Sequence, residues 1–405
     1  MPLKLSDCRI DVVMLPTRRP HRWTGLGPNV IGHYPIIRLI SSGGEEGLGE
    51  APVLPTWGGD YGRYFGEDID TTIHLVNDVL FPSIRGSEVN EIPYLLDTMD
   101  QVVAGYPYAK AAIDMALHDL LGRSEGRPVY EILGGKKRDG LLVSHSIGLM
   151  DPEGAAREAR SAVDEGIKAI KIKVGQGSEE DSRVVSSVRN AIGDKTLLGV
   201  DANRGYKDLQ SAIRAVELMS RSNLMYVEQP MEGIRNLKQI QKKFPSIPVV
   251  ADESAWTVED LLDISEAGAA KGISVYTTKP GGLYHAMQVL DFCSRHALMS
   301  NINGSCETGV GNAANIHLGI AAATLELPCV VPVTNIVGWE QTKVAGVFYT
   351  DDIIKDPFTY RDGYIYPPKK KAGLGVELDE NKLDRYRSKF YPRPVINSES
   401  KARRS

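Results

Sequence analysis

Over roughly the first fifty residues apolar and polar positions alternate with a period of two, in CRIDVVMLP and YPIIRLISS, and a Gly-rich GGEEGLGEAPV then turns the chain into a further strand. The period then lengthens. TTIHLVNDVLFPSI and YAKAAIDMALHDLLGRSEGRPVYEILGG carry apolar residues at helical spacing, with Gly and Pro at their ends. An α+β capping domain over residues 1–135 is predicted. Beyond it, short β-branched runs alternate with amphipathic stretches of helix length: LLVSHSIG, AIKIKV, TLLGVDAN, LMYVEQP, PVVADES, GISVYTT, ALMSNIN and CVVPVTN, eight in all. Strands that alternate with helices need parallel crossovers, and eight such units close into a TIM-like (β/α) barrel, predicted here over 136–365. The remainder, 366–405, leaves the barrel pattern. Its GLGVELDENKLDRYRSKFYPRP is expected to pack back on the capping domain, and SESKARRS to fray.

At 405 residues the chain is long enough for one large barrel plus a smaller unit, and 42% hydrophobic with 24% charged residues is the balance of a globular protein rather than a disordered one. The net charge of −5 offers no basic face, so neither nucleic acid nor an anionic membrane is expected as a partner. Cys8, Cys293, Cys306 and Cys329 are scattered without a C-x-x-C spacing, which suggests neither a zinc site nor a disulfide framework. With no signal-like or membrane-spanning apolar segment, a cytoplasmic enzyme is expected, and a homo-oligomer.

Ionisable residues gather at the C-terminal ends of the predicted strands, where barrel enzymes place their active sites. Alternation puts Lys171 and Lys173 of the second strand on one face, pointing into the barrel mouth; alone, such a pair is as readily two lysines snorkelling at a strand end. Asp201 in VDAN, Glu228 in VEQP and Asp252 in ADES end the next three strands, each about one strand–helix unit from the last. Single acids at such positions commonly cap helices. Three converging in one mouth would repel and raise one another's pKa unless a cation sat between them, and a hard divalent ion with oxygen ligands, Mg²⁺, resolves the conflict. That ion would also bind a substrate carboxylate and stabilise the charge formed when the neighbouring carbon loses its proton. A lysine near it, and beside a second ammonium, has its pKa drawn down, which fits Lys173 as base with Lys171 as its partner.

These residues resemble the enolase superfamily, the mandelate racemase and muconate lactonizing enzyme family, and within it the muconate cycloisomerase-like branch. The likeness runs along nearly the whole chain and rests on KIKVG, DANRGY, VEQP, ADES, the GG of KPGG and SCETGVG. It implies Asp201, Glu228 and Asp252 as Mg²⁺ ligands, Lys173 as catalytic base, and Asn203 and Glu253 just outside the ligands. Arg19-Pro20-His21 resembles the opening of a mobile loop that contacts substrate. In the branch it resembles, a second lysine ends the sixth strand before a Gly-Gly pair; here Tyr276 holds that place and Lys279 falls two residues before Gly281-Gly282, so Tyr276 is expected on the strand and Lys279 on the loop. Asn301 and Asn303 end the seventh strand where sister branches carry a catalytic histidine. Asn301, Glu307, His145 and Ser146 are candidates for the pocket wall, and Trp23, Trp57 and Tyr61 for loops that close over it.

A small-molecule carboxylate substrate is implied, with proton abstraction beside the carboxylate as the reaction. A racemase needs acid/base groups on both faces of that carbon, whereas cycloisomerisation or β-elimination can proceed with one. A muconate cycloisomerase-like isomerase or lyase therefore leads, followed by a sugar-acid or hydroxy-acid dehydratase and an amino-acid racemase or epimerase. A non-catalytic carboxylate-binding barrel is the alternative from a different class.

Overall fold

The computed structural model describes residues 3–25, 31–368 and 372–396; the SESKARRS tail lies outside them. The alternating N-terminal stretch forms antiparallel strands Leu5–Met14, His33–Ser41 and Glu46–Glu50, and Val395–Ile396 from the far end of the chain adds to the outer edge of the first. Both faces of this sheet are covered. Ile10, Ile37 and Leu39 pack into the capping domain's own core, while Val13, Ile36 and Leu48 join the core of the barrel. The sheet is thus glued to the barrel by ordinary apolar burial.

The helical stretch that follows runs Ile69–Ile84 with a wide π-type turn over Leu75–Leu80, just ahead of Pro82, whose ring nitrogen has no hydrogen to donate. Helix Pro107–Glu125 is buried on nearly every side because it lies between the sheet and the barrel. Its approach depends on Gly47 and Gly49. A Cβ at Gly49 would stand 1.9 Å from Ala112 O, and one at Gly47 2.2 Å from Ala116 O.

Seven barrel strands follow in sequence order, all parallel: Ser144–Ile147, Ala169–Lys173, Leu197–Asp201, Tyr226–Glu228, Val249–Ala251, Gly272–Val275 and Met299–Ile302. Helices separate them, opened by side-chain caps from Asp151 and Asp208 and by a capping box at Thr257 and Asp260. The eighth expected strand, CVVPVTN, is reduced to a single bridge between Cys329 and Val143. Pro328 and Pro332 lack the N–H a ladder needs, yet the segment still closes the ring: Cys329 N donates to Leu142 O (2.8 Å), Ser144 N to Cys329 O (2.8 Å), and Val330 N to Ile302 O (3.0 Å). The first expected strand also divides, since Leu141–Leu142 pairs outward with the hairpin strand Tyr364–Tyr366 before Ser144–Ile147 enters the barrel. The four thiols are free and buried. Among the described residues no helix is long and apolar enough to cross a membrane.

Candidate active site

Parallel register sets the heights of the acidic side chains. Lys173 lies opposite Asp201, and Asp201 opposite Glu228, so the acids of neighbouring strands reach the barrel mouth at one level. One carboxylate oxygen each from Asp201, Glu228 and Asp252 lies within 4.8 Å of the others, and all three residues are fully buried. Lys171 Nζ donates to Glu228 Oε1 (2.7 Å) and stands 3.0 Å from Asp201 Oδ2; Lys173 Nζ donates to Asp201 Oδ2 (2.7 Å) and to Asn203 Oδ1 (2.8 Å). The turn after Asp201 places Asn203 and Arg204 at φ of 42° and 63°, a conformation asparagine tolerates, and this brings the Asn203 amide back over Lys173. Asn203 Nδ2 in turn reaches Glu253 Oε1 at 3.2 Å.

Burial and mutual repulsion dominate the electrostatics. Burial pushes Glu228 up to about 8; Lys171 opposes this, while Asp201 and Asp252 add to it. Glu253 is likewise pushed up to about 8 by burial and by Asp252 and Asp201. For Asp201 burial is outweighed by Lys171 and Lys173, which hold it well below the usual carboxylate range. Lys171 is kept well above the ordinary lysine value, because Asp201 and Glu228 overcome its burial, and is therefore an ammonium. Glu228 Oε2 is buried without any hydrogen-bond partner. Three convergent buried carboxylates, one with an orphaned oxygen, are the donor set of a hard divalent cation, and the residues fit such an ion.

Tyr276 follows the sixth strand directly and lines the cleft, with its hydroxyl donating to Asp252 Oδ2 at 3.1 Å. Lys279 sits on the loop beyond. Its ammonium folds back beneath the cleft, donating to Asp252 Oδ1 (2.9 Å), Asp252 O (2.9 Å) and Ser274 O (2.7 Å), and it is not part of the cleft wall. The second and sixth strands face each other across an eight-fold barrel, so Lys173 and Tyr276 approach the carboxylate cluster from opposite sides.

His21 lines the cleft, packed edge-on against Phe348 at 5.0 Å, and burial together with the Arg19 charge holds it well below the ordinary histidine value. Arg19 itself stands behind, paired with Glu158 and donating to Ser146 O (3.0 Å). Three expected wall residues are not brought to the cleft. His145 spends its ring nitrogens on Glu158 Oε1 (2.9 Å) and on Gly346 N, which donates to Nδ1 (2.9 Å). Asn301 uses its amide on Pro328 O (3.3 Å) one step down the strand, and it is Asn303 that reaches the site, donating to Glu228 Oε1 (3.1 Å). Glu307 lies behind the Gly304–Cys306 wall, where Oε1 accepts from Ser305 N (2.9 Å). Trp57 is carried in by a loop tied to the barrel through Ser254 Oγ donating to Asp60 Oδ2 (2.6 Å), and packs at a tilt, ring centroids 5.0 Å apart, on both Tyr276 and Trp256. Phe348 and Glu158 carry no signal in the sequence. Phe348 lies past the periodic part of the chain, and Glu158 has the pattern of any exposed acid on an amphipathic helix.

A closed parallel barrel capped by an α+β unit, with lysines and a carboxylate triad at its C-terminal mouth, defines an enzyme of the enolase type. Residues 154–382 match the profile described as enolase C-terminal domain-like, and residues 10–134 that of the mandelate racemase / muconate lactonizing enzyme N-terminal domain; the chain belongs to that family. It is 28% identical over 388 residues to N-succinyl-L-Arg/Lys racemase of Bacillus cereus, covering 94% of this chain and 97% of that one. It is 29% identical over 384 residues to muconate cycloisomerase 1 of Rhodococcus opacus, covering 93% and 96%. The crystal structure of the Bacillus cereus racemase superposes with a TM-score of 0.85 at 25% identity, over 97% of this chain and 99% of that one.

Proposed function

We propose that this enzyme removes the proton beside the carboxylate of a small organic acid with a single strong base, Lys173, in a muconate cycloisomerase-like isomerisation or a related syn elimination. Mg²⁺ held by Asp201, Glu228 and Asp252 would supply the positive charge that the substrate carboxylate needs as its neighbouring C–H bond breaks. Lys171, an ammonium buried among those acids, faces the same carboxylate and orients it. Lys173, released from Asp201, takes the proton on one face, while its bond to Asn203 holds the lysine in place. On the other face stands the phenol of Tyr276; burial and Asp252 raise its pKa well above the ordinary value, so it stays protonated and cannot take a proton as the base.

The observation that carries the reading is that Lys279, the other lysine near the sixth strand, has its ammonium engaged by Asp252 and Ser274 and leaves Tyr276 opposite Lys173. A second reading, racemisation, draws support from the same Tyr276, since its hydroxyl is the group that would return a proton to the far face. The test is proton NMR in D₂O with Mg²⁺ over a panel of chiral organic acids. One-base chemistry predicts deuterium at the α-carbon with configuration retained, lost in Lys173→Ala; deuterium uptake with matching inversion supports the racemase, and exchange surviving Lys173→Ala refutes the base assignment.

A further inference from the structure

The cleft wall carries an unusual charge pattern. Among the described residues that line it, Lys171 and Lys173 are the only cations, and both belong to the carboxylate cluster at its floor. The Arg19 guanidinium stands behind His21 and is engaged by Glu158 and Ser146 O. Nothing on the wall is therefore free to pair a second anion, and a buried unpaired carboxylate is strongly penalised.

A cationic group on the substrate is disfavoured too. Among the described residues no carboxylate outside the floor lines the cleft. Three of the four aromatic rings on the wall already have a lysine nearby, Lys173 at 5.6 Å from Trp23 and Lys279 at 5.9 Å from Trp57 and 4.6 Å from Tyr276, and the fourth, Phe348, meets the His21 ring at 5.0 Å. What remains is apolar surface from Trp23, Trp57, Leu54 and Phe348 beside uncharged polar groups able to meet a hydroxyl or carbonyl: the His21 Nε2–Ser146 Oγ pair at 3.4 Å, the Asn203, Asn303 and Tyr276 side chains, and the Ser305 hydroxyl, which has no hydrogen-bond partner. The cavity is small, about 40 Å³, against the roughly 10–15 Å³ that one water requires. Trp57 is fixed between Trp256 and Tyr276, so the wall is a rigid surface rather than a collapsed side chain.

We propose that the substrate is a compact monocarboxylate whose remaining body is uncharged and mainly apolar, read by the wall of Trp23, Trp57 and Phe348. This rests on the reading that the floor of the cleft holds the substrate's carboxylate. It separates this enzyme from any relative acting on a dicarboxylate, muconate included, or on a substrate with a charged side chain, and of the one-base reactions proposed above it selects those that need no second carboxylate.

A matched pair tests it: pentanoate and glutarate share a five-carbon chain and differ in a terminal methyl against a terminal carboxylate. Binding of each to the full chain with saturating Mg²⁺ is measured by calorimetry, with heats of dilution into Mg²⁺ buffer subtracted. Pentanoate is expected to bind at least about tenfold more tightly, and Leu54→Arg, which puts a cation on the wall, to narrow or reverse the ratio. Glutarate binding as tightly as pentanoate in the unmodified protein, or no binding of pentanoate at all, overturns the proposal. The proton-exchange experiment reports separately on the reading beneath it: a glutarate preference with exchange intact sinks only the substrate class, and exchange unaffected by Lys173→Ala sinks only the base.

Discussion

Lys279→Met separates a positioning lysine from a catalytic one. Methionine keeps most of the apolar stem and removes the ammonium, which is buried at 3% exposure and donates to Asp252 Oδ1, Asp252 O and Ser274 O. The change leaves a fully buried carboxylate short of its nearest cation and two carbonyls short of a donor. Breaking a buried ion pair from one side costs about 3–5 kcal/mol, and that deficit is expected in urea unfolding of the metal-free protein. Mg²⁺ should narrow it, since a cation held by Asp252 restores the missing charge; occupancy at a hundredfold over Kd contributes about 2.7 kcal/mol. With Mg²⁺ saturating, α-proton exchange in Lys279→Met should stay within about tenfold of wild type, whereas Lys173→Met should lose the roughly 10²–10⁴-fold that a general base supplies, with a stability cost of its own because Asp201 then keeps only Lys171. A stability deficit under about 1 kcal/mol, or an exchange loss as complete as that of Lys173→Met, would refute this division of labour.

Tyr276→Phe keeps the 5.0 Å ring contact with Trp57 and loses the 3.1 Å bond to Asp252, so exchange should persist while net turnover falls, as rapid-quench product analysis would reveal; equal loss of both would move the phenol into the proton-abstraction step. Glu67 accepts from Tyr108 N and Ala109 N at the start of the long buried helix, and burial pushes it up to about 7. Its folded value thus exceeds its unfolded one near 4.5. The unfolded chain then loses this proton first as pH rises, and stability should fall between about pH 4.5 and 7 with a slope of at most about 1.4 kcal/mol per unit. Glu67→Gln should flatten that part of the profile in urea midpoints, and an unchanged slope would exclude Glu67 as its source. Gly49→Ala drives a methyl into Ala112 O and should destabilise by at least about 1–3 kcal/mol in thermal or urea unfolding, while a neutral result would mean the helix–strand contact is looser than 1.9 Å implies.

The acids and lysines at the strand ends are legible because a parallel barrel repeats its register: Asp201, Glu228 and Asp252 recur once per strand–helix unit, and period-two alternation puts Lys171 and Lys173 on one face. Where function departs from that periodicity the sequence is silent. Spacing distinguishes Tyr276 from Lys279 along the chain, yet not that the Lys279 ammonium doubles back to Asp252, which depends on the path of a loop. Alternation makes Asn301 and Asn303 equivalent, while only Asn303 clears the strand far enough to reach Glu228. The eighth strand reads as regular from its β-branched residues, although its prolines leave only enough donors to close the ring. Phe348 and Glu158 come to the site from segments with no repeating pattern to follow.

The central claim is that three buried carboxylates hold one divalent cation. Calorimetric titration of Mg²⁺ into the metal-free protein and into Glu228→Gln tests it most directly, because Glu228 belongs to the cluster and carries an oxygen with no hydrogen-bond partner. The account predicts one ion per chain in the wild type and binding weakened at least about a hundredfold in the variant; an equal affinity in the two proteins would contradict it.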